Sequence, residues 1–147
     1  MLGAGIGKLS TWRTWLVVLK AAFGLKLTSN ELVTFYEIAG GREPPRQRVR
    51  ELWVAAGRRS GKSRVAGALA TYFALIAGGR EHLAVGEEGF VLVLAPSRDQ
   101  AKLVHRYAKG FIDASPMLKN EVLSETADQI GLSPLEAGCA VNAAIAR

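Results

Sequence analysis

An α/β fold, with a mainly parallel sheet flanked by helices and an N-terminal helical extension, is what this sequence predicts. Three observations carry that expectation. Leu52-Trp53-Val54-Ala55 reads as a short buried strand. Val65 to Ile76, apolar on almost every face, reads as a helix that stops at Gly78-Gly79. Phe90-Val91-Leu92-Val93-Leu94-Ala95 is a continuous apolar run, as expected of a parallel strand covered on both faces. Strand, helix and strand then make a right-handed crossover unit, with its ligand loop at the carboxyl end of the first strand.

The N-terminal extension begins with Trp12, Trp15, Leu16, Leu19, Ala22 and Phe23, which recur at helical spacing and predict an amphipathic helix docked on the domain. Lys20 interrupts the apolar stretch from Trp15 to Leu25, and Arg13 and Lys26 flank it. That stretch is too short to cross a bilayer and too charged for a signal peptide, so no membrane partner is expected. Gly3-Ala4-Gly5-Ile6-Gly7-Lys8 echoes a phosphate loop, but it has no strand before it and Leu9 where a hydroxyl is needed. Thr28 and Glu31 have capping-box spacing and start a second helix that stops at Gly40-Gly41. Phe35 and Tyr36 are expected to pack, and Pro44-Pro45 make an extended link into the first strand.

Past the central helix, Arg80 to Gly89 is polar and reads as a surface connection. Pro96 ends the second strand, Ser97 caps the next helix, and Gln100 sits at capping spacing from it. Ala101, Val104, Ala108 and Phe111 give that helix a buried face.

Between the first strand and its helix lies the stretch richest in chemistry, Ala56-Gly57-Arg58-Arg59-Ser60-Gly61-Lys62-Ser63. A tight loop closed by a helix N-terminus turns successive backbone N–H groups toward an anion, which suits a triphosphate. Gly61 lets the backbone approach closely, Lys62 reaches the β- and γ-phosphates, and the Ser63 hydroxyl is a ligand for Mg²⁺. The usual spacing is Gly, four residues, then Gly-Lys-Ser/Thr, and Ala56 occupies the first glycine position. Arg58 and Arg59 make the loop more cationic than ground-state binding requires. One of them serves as an arginine finger in cis on the γ-phosphate, or both are solvated or paired with acidic residues of a partner.

Composition sets outer bounds. A chain of 147 residues, 49% hydrophobic and 22% charged, can build one compact core. The single cysteine, Cys139, excludes an internal disulfide framework and a cysteine zinc cluster, and suits a reducing cytoplasm. The net charge of +6 is uneven: residues 1 to 64 hold twelve Lys/Arg against four Glu, and residues 65 to 147 hold seven against nine acids. Arg42, Arg46, Arg48 and Arg50 form a basic run that either touches DNA phosphates or is a solvated linker. His82 and His105 lack paired ligand spacing and read as surface residues, and no serine, histidine and acid arrangement suggests a hydrolytic triad.

A series of segments makes a resemblance specific. Trp12-Arg13-Thr14-Trp15, Phe23-Gly24-Leu25, Glu31-Leu32 to Phe35, Gly41-Arg42-Glu43-Pro44-Pro45 and Gly57 to Ser63 occur in an order and spacing that resembles one group of bacteriophage terminase large subunits. The likeness continues through Val91 to Ala101 and Ser124-Glu125-Thr126-Ala127-Asp128, so it covers about residues 11 to 132. Terminase large subunits are the ATP-driven motors that package double-stranded DNA into the procapsid. The resemblance implies their N-terminal ATPase domain, an incomplete P-loop NTPase-type parallel sheet flanked by helices. It implies ATP and Mg²⁺ as cofactors, held by Ala56, Gly57, Arg58, Arg59, Ser60, Gly61, Lys62 and Ser63, with Ser63 on the metal and Arg58 acting on the γ-phosphate.

The family's loop often lacks the first glycine, as at Ala56. Arg42 with Gln47 matches the segment that approaches the adenine side, and Ser97 to Gln100, with Arg98, a segment near the nucleotide or the DNA-facing surface. Implied partners are double-stranded DNA, the portal protein and the small terminase subunit, in the host cytoplasm at the procapsid portal. The domain boundaries expected are 1–41 for the helical extension, 42–132 for a partial P-loop ATPase domain, and 133–147 for an Ala-rich tail.

ATP hydrolysis by this architecture needs a second apolar strand ending in Asp-Glu, one acid for Mg²⁺ and one to orient water. No such segment occurs; the closest, Phe111-Ile112-Asp113, sits at the end of a helical stretch. After Leu132 the likeness stops, and neither further ATPase elements nor a nuclease domain follow. The chain therefore reads as the N-terminal fragment of a terminase large subunit from a split, frameshifted or prematurely ended gene, inactive in ATP turnover alone. The alternatives are a non-catalytic remnant, or an unrelated small P-loop phosphotransferase that would need an acceptor lid and a catalytic acid. Missing strands would leave an unpaired sheet edge and apolar surface, hence aggregation or dependence on a partner.

Overall fold

The structure is a computed structural model that describes residues 8–78, 83–85, 87–133 and 141–142. Gly3 to Gly7, Gly79, Arg80, His82, Cys139 and most of the Ala-rich tail, all singled out above, lie outside the described residues. Two compact units are formed, Lys8–Gly57 and a second that runs from Arg58 onward.

In the first unit a 3₁₀ turn, Leu9–Trp12, leads into helix α1 (Arg13–Ala22), and α2 spans Ser29–Ala39. Helix α1 buries Val17, Ala21 and Ala22, while Trp15, Leu16 and Leu19 are half-buried. The apolar stripe expected from the large residues is thus rotated toward smaller ones, and α1 and α2 pack on each other. Helix α2 starts as its spacing predicts: the Glu31 amide donates to Thr28 Oγ1 and the Thr28 amide donates to the Glu31 carboxylate at 2.9 Å. It ends at Gly40 in the left-handed region, φ 64°, with the Gly41 amide donating to the Tyr36 carbonyl at 2.9 Å.

The same Glu31 carboxylate accepts from Lys20 Nζ of α1 at 2.6 Å. The Lys20 ammonium, and after it the Thr28 amide, hold the Glu31 carboxyl down at about 2, against an ordinary 4.5. A pKa depressed by folding contributes stability above the ordinary value that is lost as pH falls from 4.5 toward about 2. Unfolding free energies measured across that window should therefore fall more steeply for the wild type than for Glu31→Gln. Parallel curves for the two proteins would show that the carboxylate is not linked to folding.

The chain then doubles back across the end of α1. Gly24, at φ 68°, leaves no room for a side chain: an added Cβ would stand 2.6 Å from the Gln47 carbonyl carbon. The Val49 amide donates to the Ala22 carbonyl at 2.9 Å, and the Arg48 guanidinium lies 5.7 Å from the centroid of the Phe23 ring. Residues 42 to 57 contain no helix or strand. The strand expected at Leu52 to Ala55 is not formed, and Trp53 is 90% exposed.

The second unit contains α3 (Lys62–Leu75), β1 (Gly89–Phe90), α4 (Arg98–Asp113), the single turn α5 (Pro116–Lys119), and strands β2 (Val122–Glu125), β3 (Ile130–Leu132) and β4 (Val141–Asn142). The sheet order is β1-β4-β3-β2. Strand β3 runs antiparallel to both β2 and β4, and the parallel pairing is confined to Gly89 with Val141 and Phe90 with Asn142. Val91 to Ala95, expected as the body of a strand, lies outside the sheet with Leu92 and Leu94 exposed.

The described residues thus contradict the P-loop NTPase-type parallel sheet and its crossover unit. The physical reason is that a strand exists only in a ladder. The hairpin of β2 and β3 closes over a four-residue turn at little entropic cost, whereas parallel neighbours need a crossover of a dozen or more residues.

The core of this unit joins Ala74 and Leu75 of α3, Ile112 of α4, Leu118 of α5, and Ile130 and Leu132 of β3, with Val91 and Val122 packed against it. Higher up, α3 and α4 touch backbone to backbone. A Cβ at Gly67 would lie 2.7 Å from Tyr107 Cβ and 2.9 Å from the Ala108 nitrogen. The buried Thr71 hydroxyl donates to the Gly67 carbonyl at 3.0 Å, with the Ala108 carbonyl at 3.4 Å.

Alanine at position 67 would gain up to about 1 kcal/mol of helix propensity, but overpacking against backbone costs about 1–3 kcal/mol. Gly67→Ala should be net destabilising, read as a lowered urea midpoint; a raised midpoint would mean that the helices are not in this close contact.

Candidate polyphosphate site

The loop singled out by its spacing is divided by the unit boundary. Ala56 and Gly57 close the first unit, and Arg58 to Ser63 open the second. Arg58 and Arg59 form a turn in which Arg59 takes φ 61°, a left-handed conformation uncommon for a residue with a side chain. Gly61 follows at φ 83° and ψ 8° and is the N-cap of α3. Two left-handed residues two positions apart thus immediately precede the helix.

The Gly61 carbonyl accepts from the Arg64 and Val65 amides, both at 3.0 Å, so the helix is regular from its first turn. No side chain caps it. The N–H groups of a first turn point out along the axis and carry the positive pole of the helix.

Charge reinforces that pole. Arg58, Arg59 and Lys62 are exposed around it, Arg64 is half-buried within the first turn, and no acidic residue occupies that turn. By contrast, α2 has Glu31 and α4 has Asp99 in the first turn, the arrangement a helix dipole favours. A cation at this end is repelled by a few tenths to about 1 kcal/mol. Arg58, Arg59, Lys62 and Arg64 thus bring four basic residues to one helix N-terminus. Arg64 was absent from the sequence-level set; what marks it is its place in the first turn once the helix is known to start at Lys62.

Ser60 and Ser63 are half-buried, with Ser63 in the first turn beside Lys62. Among the described residues no three His, Cys, Asp or Glu side chains gather as a metal site. Mg²⁺ usually keeps several waters and one or two protein oxygens beside substrate phosphates, so a lone serine hydroxyl fits it as part of a metal–phosphate complex. The helix that carries these residues is anchored by the Gly67 and Thr71 contacts with α4, within three turns of Lys62.

Other expected residues stand elsewhere. Arg42 and Gln47 belong to the first unit and are exposed. Ser97 caps α4 by accepting from the Gln100 amide at 3.3 Å. Arg98 is paired with Asp128 in the β2–β3 turn, with Lys102 3.9 Å from the same carboxylate, and Arg98 pulls the Asp128 carboxyl below its usual range. His105, expected on the surface, is half-buried. A cavity of about 530 Å³ has Lys109, Asp113, Lys119 and Glu125 around Ile112 and Ile130, and includes no loop residue. Lys109 bridges Asp113 and Glu125 there. No helix among the described residues is long and apolar enough to cross a membrane. No protein-family model, no curated protein and no solved structure matches this chain.

Proposed function

We propose that Arg58 to Ser63, at the N-terminus of α3, bind the phosphates of Mg²⁺-ATP, and that the chain is the ATP-binding N-terminal part of a terminase-type DNA-packaging motor. One observation carries the first half: a helix N-terminus with no side-chain cap and no acid in its first turn, with Arg58, Arg59, Lys62 and Arg64 in the loop and first turn. The order of segments from Trp12 to Asp128 supports the second half.

In this reading the backbone N–H groups of the loop and first turn receive the β-phosphate. Lys62 contributes a point charge on the β- and γ-phosphates, Ser63 a hydroxyl for Mg²⁺, and Arg58 a guanidinium for charge that develops on the γ-phosphate. Double-stranded DNA, the portal protein and the small terminase subunit are the partners this assignment brings. Residues 1 to 147 contain no apolar segment that ends in Asp-Glu, the acids that hold Mg²⁺ and orient water in this architecture. Binding without steady turnover is the corresponding behaviour of the chain alone.

Calorimetric titration tests the assignment. Mg²⁺-ATP and pyrophosphate should both bind and adenosine should not, because the contacts are to phosphate. A folded chain that takes up neither anion would overturn it.

A further inference from the structure

We infer that the first unit carries a separate surface for single-stranded nucleic acid, on which Arg46, Arg48 and Arg50 hold phosphates and Trp53 stacks against a base. Residues 46 to 50 contain three arginines and no acid, and all three are exposed. Their backbone is held in place by the close approach of Gly24 to Gln47 and Arg48, and by the Val49 amide bond to Ala22. Arg48 is further oriented over the Phe23 ring. Arg48, fixed in this way, loses little freedom when it meets phosphate, and guanidinium matches phosphate geometry better than ammonium does.

Trp53 supplies the second observation. It is 90% exposed, although an indole left in water forfeits one of the largest apolar burials available to a side chain. Its Nε1–H donates to the Glu51 carboxylate at 3.2 Å, which restrains the ring while most of the residue stays in solvent. Glu51 is also the one acid between Arg46 and Trp53. A backbone-tracking basic strip followed by an aromatic platform is the combination that binds single strands without regard to sequence.

Duplex DNA satisfies the arginines but keeps its base faces stacked away from Trp53. An anionic bilayer would suit the ring, and Leu52 and Val54 beside it are exposed. Interfacial membrane binding, however, favours an amphipathic helix, and residues 42 to 57 contain none.

The surface is independent of the polyphosphate reading, since it lies in Lys8–Gly57 and uses neither Lys62 nor Ser63. The test is fluorescence anisotropy with a dye-labelled oligothymidylate, a hairpin duplex of matched length, and phosphatidylserine vesicles as competitor. The single strand should bind more tightly than the duplex. The Trp53→Ala variant should weaken it by roughly tenfold to a hundredfold, the worth of one stacked base, and Trp53→Phe should recover most of that loss. The log–log salt slope should be about −2, from three phosphates at about −0.7 each, and should flatten in R46Q/R48Q/R50Q. The Lys62→Ala variant should bind the oligonucleotide as the wild type does. The inference is overturned by an absence of binding, by a duplex that binds as tightly as the single strand while Trp53→Ala changes nothing, or by binding to vesicles alone. Trp53 is almost fully exposed, so its replacement leaves packing intact, and far-ultraviolet circular dichroism verifies this for each variant.

Discussion

Lys62→Ala is expected to weaken Mg²⁺-ATP binding by roughly tenfold to a hundredfold, the worth of a hydrogen bond to a charged group. Two features make this substitution clean. Lys62 is the first residue of α3 and exposed, and alanine is the best helix former, so the helix start survives. The unliganded variant should remain folded and melt cooperatively, since alanine suits the first turn of a helix. Affinity lost in a protein that still melts cooperatively separates the site from general damage. Calorimetry gives the first quantity and a thermal melt without ligand gives the second. Equal ATP affinity in the two proteins would remove Lys62 from the site and with it the proposed phosphate cradle.

Leu118→Ala should cost about 2–5 kcal/mol, the range for truncating a fully buried leucine. Leu118 has 0% exposure and stands in α5, the single turn between α4 and the hairpin, where it meets the group formed by Ala74, Leu75, Ile112, Ile130 and Leu132. A cavity at that point removes contacts from two helices and a strand together. Its neighbour Met117 is 55% exposed, and Met117→Ala should stay within about 0.5 kcal/mol of the wild type. Urea denaturation of the pair compares adjacent positions in one turn. If the two variants unfold at the same midpoint, the core is not where the structure puts it.

Features that depend on neighbours in sequence were legible without coordinates. The Thr28 and Glu31 capping box, the stop at Gly40, the Ser97 cap and the Ala101, Val104, Ala108 and Phe111 face all follow from spacing within a few residues. Strand pairing depends on distant partners, and there the reading failed. Leu52 to Ala55 and Phe90 to Ala95 have the composition of strands, yet an apolar run carries no information about what will pair with it.

The hairpin that does form was hidden for a different reason. Its turn, Thr126 to Gln129, has no glycine or proline and is held by the Thr126 side chain, whose Oγ1 accepts from the Gln129 amide at 3.0 Å and from the Asp128 amide at 3.4 Å. At the candidate site, residue types disclosed the chemistry of Lys62 and Ser63. Only the helix boundary disclosed Arg64, because first-turn membership is a property of the backbone.

The Glu31 carboxylate serves two helices at once, closing the first turn of α2 and receiving Lys20 from the last turn of α1. Those two ends consequently do not have separate fraying equilibria. Opening the start of α2 withdraws the partner of Lys20, and opening the end of α1 removes the ammonium that helps hold the carboxylate in its capping position. Each helix end thus lends its order to the other, and the corner between them behaves as one cooperative element, although the chain there is an ordinary surface turn.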